Sequence, residues 1–241
     1  MGSELGIEDL ILGGDIIAND TWSKWAKMTR TAVSYREELG PTIDLVNKFR
    51  RIYERIKWIT GNHERRFAYQ CDGELTVGDL IQSETDVEFS EYAHCDVESC
   101  TGRIRVMHQD NYSKVPLSVP YEIASNQLCH VACTHTHRLA LGMDRSNSFQ
   151  IAECGHGRSV EQTPYINLRQ NRMPKWNHGF LLVMGGAFQI VNRYNFESIM
   201  KQGVVRPEPT QPEVDQKYID LAKRLAAIGK EVPNDVRSES A

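Results

Sequence analysis

Apolar and polar positions alternate along the chain in short blocks that set out a series of strands and helices. "DLILGGD" (Asp9 to Asp15) puts an apolar run ahead of two glycines and a carboxylate, the pattern of a buried strand entering a loop. From Leu45 the apolar residues Leu45, Val46, Phe49, Ile52, Tyr53 and Ile56 fall at i, i+1, i+4, i+7, i+8 and i+11. That spacing is one face of a helix, expected to begin after the break at Gly40-Pro41. "KWIT" reads as the next strand. "RIRVMH" (Arg103 to His108) alternates as a strand does and ends on histidine, and "QLCHVACTHTH" holds a strand around His130 to Cys133 that runs into a histidine-rich loop. "GFLLVM" and "FQIVNRY" flank Gly185-Gly186, a β-hairpin signature. Strands alternate with helices in the first half, and hairpin-like strands dominate from about residue 138 to 195. The pattern predicts a layered α/β fold.

After Gly203 the character changes. "RPEPTQP" is a Pro-rich linker, expected to be extended. Beyond it Val214, Tyr218, Leu221, Leu225 and Ile228 are spaced 4, 3, 4, 3, a stripe on a helix of about four turns. Two heptads fall short of a coiled coil, so the helix is expected to dock on its own domain, with a homodimer through it as the sharper alternative. The expected organisation is one domain over residues 1–202, then linker and helix over 203–241.

Composition narrows the function. With 241 residues the chain is long enough for a single α/β core. A net charge of −4 gives no global pull toward nucleic acid or anionic membrane. One local basic stretch remains, "GHGRSVEQTPYINLRQNRMPKW", where Arg158, Arg169, Arg172 and Lys175 interleave with Tyr165 and Trp176. It reads either as a phosphate- or base-binding wall or as an ordinary charged loop. No apolar stretch approaches the roughly 20 residues that span a bilayer, and "MGSELGIEDL" lacks the apolar core of a secretory signal. The six cysteines form no C-x-x-C pair, so reduced thiols in the cytoplasm are expected. Cys95, Cys100, Cys129 and Cys133 with His94 and His130 offer a zinc reading, but their spacing fits no compact zinc module.

Four apolar runs end in a residue able to bind metal: Asp15 after "LIL", Asn62-His63 after "WIT", His108 after "RVM", and His135 and His137 after "VAC". In α/β sheets ligands gather beyond the carboxyl ends of strands, where loops converge. A carboxylate, an amide oxygen and several imidazoles form a mixed O/N donor set. It suits Mn, Fe, Zn or Ni better than Ca or Mg, with one or two ions and Mn favoured. Gly61 is expected to supply a sharp bend before Asn62.

"GGD", "GNHE", "MHQD" and "THTH" resemble, in order and spacing, the motifs of the calcineurin-like metallophosphoesterase superfamily, G-D, G-N-H-[DE], an isolated His and G-H-x-H. The similarity covers about residues 6 to 195, and "WNHGFLLV" is similar to the closing strand of small phage and bacterial members. The resemblance implies a four-layer sandwich, two mixed β-sheets flanked by helices. It implies that Asp15 bridges two metals, that Asn62, His108 and His135 complete one site, and that His137 belongs to the other. His63 would act on the phosphate as general acid or transition-state stabiliser. Two cations about 3.5–4 Å apart would then activate water and stabilise in-line displacement. Arg65 and Arg66 either reach phosphate oxygens or are solvated charges on a helix face.

The family's first motif, D-x-H, is absent. Residues 4 to 10, "ELGIEDL", resemble the end of a helix leading into the second strand, so a chain shortened at its start is expected. The site containing His137 would keep only Asp15 and His137. Two smaller departures are Thr134, where the motif has glycine, and Gln109, which follows the isolated histidine. The implied function is hydrolysis of phosphoesters, most readily phosphodiesters, with no membrane partner. A nuclease acting on nucleic acid and a non-catalytic binding scaffold are the alternatives. The substrate-binding residues and the substrate itself are not legible in the sequence.

Overall fold

The structure, a computed structural model, describes residues 6–23, 33–82, 85–158 and 175–200. The chain divides into two compact units, Met1–Glu208 and Pro209–Ala241. The helix expected over 214–228, and with it the proposed dimer contact, lies outside the described residues, as does most of the basic stretch, residues 159–174.

The first unit is α/β, with several sheets flanked by helices, as the apolar pattern predicts. Strands β1 (Asp9–Leu12), β2 (Arg55–Ile59) and β3 (Glu88–Ser90) form a parallel sheet in that order. Within it Trp58 and Ile59 are fully buried. Strands β4 (His94–Ser99), β5 (Gly102–His108), β6 (His130–Thr134), β7 (Leu139–Met143) and β8 (Gln150–Cys154) form a second, mixed sheet in the order β4-β5-β6-β8-β7. Its three central strands are parallel and its two edges antiparallel. Strands β9 (Phe180–Met184) and β10 (Ala187–Val191) pair as the predicted hairpin. Its turn needs positive φ at both central residues, and Gly185 and Gly186 take 54° and 75° at no steric cost. Strands β3 and β4 were not set out by the sequence pattern, and β7 and β8 fall in a stretch it marks only as hairpin-like, without bounds. Their residues are largely half-buried or interrupted by charge, so no clean period shows.

Helix α1 (Tyr35–Arg50) starts five residues before the predicted break and ends before Ile52. The reason is local. Ser34 accepts from the Glu37 N–H and the Glu37 side chain reaches back to Ser34 N–H, a capping box strong enough to start the helix upstream of Pro41. The buried face is then Leu39, Thr42, Ile43 and Val46, at i, i+3, i+4 and i+7. Ile56, assigned to the helix by its spacing, belongs to β2. The remaining helices are α2 (Asn62–Gln70), α3 (Val77–Ile81), α4 (Ser118–Gln127) and α5 (Phe196–Met200).

Alternation along β6 and β8 splits the core between two faces. Val131, Cys133 and Ile151 pack with Ala124 of α4, while Ala132 and Ala152 pack with Ile104 and Phe188. Cys129 and Cys133 are therefore core thiols. His130, the histidine of the zinc reading, has both ring nitrogens occupied: Nε2 meets the Thr101 carbonyl at 3.1 Å and Nδ1 accepts the Gln150 N–H at 2.9 Å. The six cysteines are unpaired, and among the described residues no helix is long and apolar enough to cross a membrane. Residues 6–8, expected to end a helix, are non-helical and lead directly into β1. Among the described residues β1 is an edge strand, bonded to β2 alone.

Candidate metal centre

Strands β1, β2, β5 and β6 each deliver a polar loop to one place. Asp15 follows β1, Asn62 opens α2 directly after β2, His108 ends β5, and His135 follows β6. Their donor atoms converge. Asn62 Oδ1 lies 3.0 Å from His108 Nε2 and 3.0 Å from His135 Nδ1, and the two ring nitrogens are 3.1 Å apart. Asp15 Oδ2 is 3.4 Å from His108 Nε2. Among the described residues, Asp15, His108 and His135 form the group of candidate ligands whose donor atoms all lie within 4.8 Å of one another.

Hydrogen bonding around the group decides which atoms face inward. His108 Nδ1 lies 2.9 Å from the Gly13 carbonyl. A carbonyl only accepts, so Nδ1 carries the proton and Nε2 offers its lone pair to the centre. Burial pushes the His108 pKa down and brings that of His135 to about 4, with the neighbouring His108 adding to it, so both rings are neutral near pH 7. Asp15 Oδ1 accepts the His63 N–H at 2.9 Å, which leaves Oδ2 for the centre. Electron-rich atoms thus crowd together with at most one hydrogen among them. Such a set is mutually repulsive unless a cation lies between its members, and it fits a divalent transition metal.

Burial raises the Asp15 pKa to about 6, against the opposing pull of the His63 N–H, Arg66, Arg65 and Arg158. Metal binding requires the carboxylate, so affinity is expected to weaken steadily as pH falls through about 6. The His135 imidazole adds to the loss only near pH 4. Calorimetric titration with Mn(II) at pH 7.5, 6.0 and 5.0 measures it, and an unchanged affinity at pH 5.0 would contradict the assignment of Asp15 as a ligand.

The loops are held at close quarters. Gly14 (φ +82°) touches Gly61, and a Cβ on Gly14 would lie 2.7 Å from Gly61 N, 2.7 Å from Gly61 Cα and 2.7 Å from His108 Nδ1. Gly61 itself is extended, with φ −98° and ψ −178°. It does not supply the predicted bend: a Cβ there would lie 2.5 Å from Asp15 N, so glycine is required by contact rather than by conformation. Asp15, His135 and His137 take positive φ of 57°, 83° and 60°, uncommon for residues with side chains and concentrated at this site. Thr134, in place of the motif's glycine, stays in the strand and sends its hydroxyl to the Gly13 carbonyl.

Glu64 emerges as the keystone that sequence reasoning left without a role. The residue is 2% exposed, and its carboxylate accepts N–H groups from Asp15, Ile16 and Gly61, each at 2.8 Å. Burial and the adjacent Asp15 charge push its pKa up, against the pull of those donors. Arg66 and Arg65 act as fasteners beside it. Arg66 donates to the Ala18 carbonyl at 2.8 Å and Arg65 pairs with Asp110. The two arginines tie the loops after β1 and β5 to α2, so neither is a free surface charge.

His63 Nε2 lies 3.8 Å from Asp15 Oδ2 and its Nδ1 is buried without a partner among the described residues. Burial first, then Arg66 and Arg158, drive its pKa down to about 2, so the ring is neutral in the ligand-free protein. His137 stands outside the converging group. Its ring packs on Trp176 at 4.3 Å and on His156 at 5.4 Å between centroids.

No family model matches the chain, and no curated protein matches it. A search of solved structures returns a point mutant of Vps29 from Entamoeba histolytica. It is 14% identical, covers 76% of this chain and 96% of that one, and superposes with a TM-score of 0.32. A likeness this loose carries no argument about activity, and the reading of the site rests on its own geometry.

Proposed function

We propose that this chain is a metal-dependent phosphoesterase acting most readily on phosphodiesters, with one divalent ion held by Asp15, Asn62, His108 and His135. The observation that carries the proposal is the meeting of four lone-pair atoms from four separate strand ends, with hydrogens turned outward at His108. The ion would supply Lewis acidity toward a phosphoryl oxygen and toward water. The chain's own residues do the rest. Asp15 and the neutral imidazoles offer ligands without first losing protons, apart from Asp15 below pH about 6. His63 stands beside Asp15 and donates a hydrogen bond to the phosphoryl group. As a neutral ring in the ligand-free protein it serves first as a stabiliser of developing charge, and it becomes a proton donor where a phosphate anion alongside raises its pKa. Manganese is the favoured ion on donor chemistry, with Fe, Zn and Ni as the other fits. A nucleotide or nucleic-acid diester suits the proposed chemistry, and reduced cysteines suit a cytoplasmic setting.

A scaffold without catalysis is the second reading, favoured by the absence of D-x-H from the sequence, which leaves the second cation of the motif-implied superfamily short of ligands. Metal analysis of the purified full chain together with hydrolysis of bis(p-nitrophenyl) phosphate separates them. One equivalent of metal with Mn-stimulated turnover supports the enzyme. One equivalent with no turnover on any diester supports a metal-binding scaffold, and no bound metal removes the enzyme and leaves a bare scaffold.

A further inference from the structure

The loop that carries His135 rests on a buried acid that the proposed chemistry leaves unused. In the mixed sheet β8 lies between β6 and β7, so the connection 135–138 has to cross over the carboxyl end of β8 to join them. Glu153 of β8 stands under that crossing, paired with Cys133 of β6 on one side and with Ala140 of β7 on the other. The residue is buried. A carboxylate in the middle of a sheet is costly unless its oxygens are bonded.

Both oxygens of Glu153 meet donors from loops. Oε1 accepts the Thr136 hydroxyl at 2.9 Å, and Oε2 accepts the Leu117 N–H at 3.2 Å. Among the described residues no lysine or arginine forms an ion pair with it. Its partners are therefore the loops themselves. Thr136 is buried as well, and its hydroxyl oxygen accepts the Arg138 N–H at 3.5 Å. On either side of it His135 and His137 take positive φ, a backbone that persists only where its surroundings hold it. In that conformation His135 Nδ1 reaches to 3.0 Å from Asn62 Oδ1 and 3.1 Å from His108 Nε2.

From this arrangement we infer that Glu153 and Thr136 are positioning residues for the metal centre: their buried hydrogen bond fixes the loop in the conformation that presents His135 Nδ1 to the cation. Neither side chain touches the ion or the substrate. The inference rests on the metal-dependent reading of the site and assigns its support on the second sheet. Glu64 holds the loops after β1 and β2, and Glu153 holds the loop after β6. A ligand already in place loses less freedom when it binds, and groups that orient metal ligands typically change affinity about 10–100-fold.

Mn(II) is the probe, titrated by calorimetry into the full chain after its metal has been stripped. T136V keeps the shape and removes the hydroxyl, and is expected to weaken Mn binding about tenfold. T136S restores the hydroxyl and is expected to bind within about twofold of wild type. E153Q turns one acceptor oxygen into a donor that faces another donor, and is expected to lose about tenfold or more. I151V removes one methyl from the same strand without removing a bond to the loop, and is expected to stay within about twofold. With Co(II) in place of Mn, the visible d–d bands of T136V are expected to shift while those of I151V match wild type, because ligand geometry rather than fold stability sets them. Wild-type Mn affinity in both T136V and E153Q overturns the positioning role. So does an I151V protein that loses as much affinity as T136V. A wild-type chain that binds no Mn removes the phosphoesterase reading and the positioning role together, whereas failure of the positioning role alone leaves the wild-type titration intact.

Discussion

Alanine in place of Glu64 is expected to destabilise the metal-free protein by about 4 kcal/mol or more. The carboxylate is the acceptor for the N–H groups of Asp15, Ile16 and Gly61, and truncation leaves the three donors, one buried and two half-buried, without it. Each orphaned donor costs roughly 1–3 kcal/mol, a large share of the roughly 5–15 kcal/mol that holds a domain folded. Glu64→Gln keeps the shape but turns one acceptor oxygen into a donor facing other donors, and about 2–3 kcal/mol is expected. Urea denaturation in chelator measures both. A Glu64→Ala protein within 1 kcal/mol of wild type would show that the loops are held by something else.

The second large effect separates one cation from two. Asp15→Ala is expected to lower Mn affinity at least about 100-fold, because the only carboxylate of the group disappears from a site where a cation–carboxylate attraction is worth several kcal/mol. Diester hydrolysis is expected to fall at least as far. His137→Ala is expected to leave the affinity for that ion within about threefold, since its ring lies against Trp176 and His156 rather than among the converging donors. A His137 variant that loses metal as completely as the Asp15 variant would refute the single-ion arrangement.

Much of the donor set was legible because metal chemistry restricts residue type and strand ends restrict place. Asp15, Asn62, His108 and His135 could each be named from an apolar run and the polar residue that ends it. What could not be read was the fastening. Glu64 looks like one more charge on a helix until the loop after β1 is seen to bend back over it, a contact 49 residues distant in sequence. Arg65 and Arg66 are ambiguous for the same reason, since Asp110 and Ala18 become their partners only in three dimensions. Helix α1 was misplaced because apolar spacing outweighed a polar signal, the Ser34–Glu37 box.

Thr134 and Gly13 illustrate a further kind of constraint. The threonine methyl occupies the place that a Cβ on Gly13 would need, and its hydroxyl bonds the carbonyl of the same glycine. The two positions behave as knob and socket, so Gly13 accepts no side chain while Thr134 keeps its bulk. Glycine is thus demanded on the β1 side of this gap, and the residue before the first histidine of the loop is free to carry a side chain that fills it.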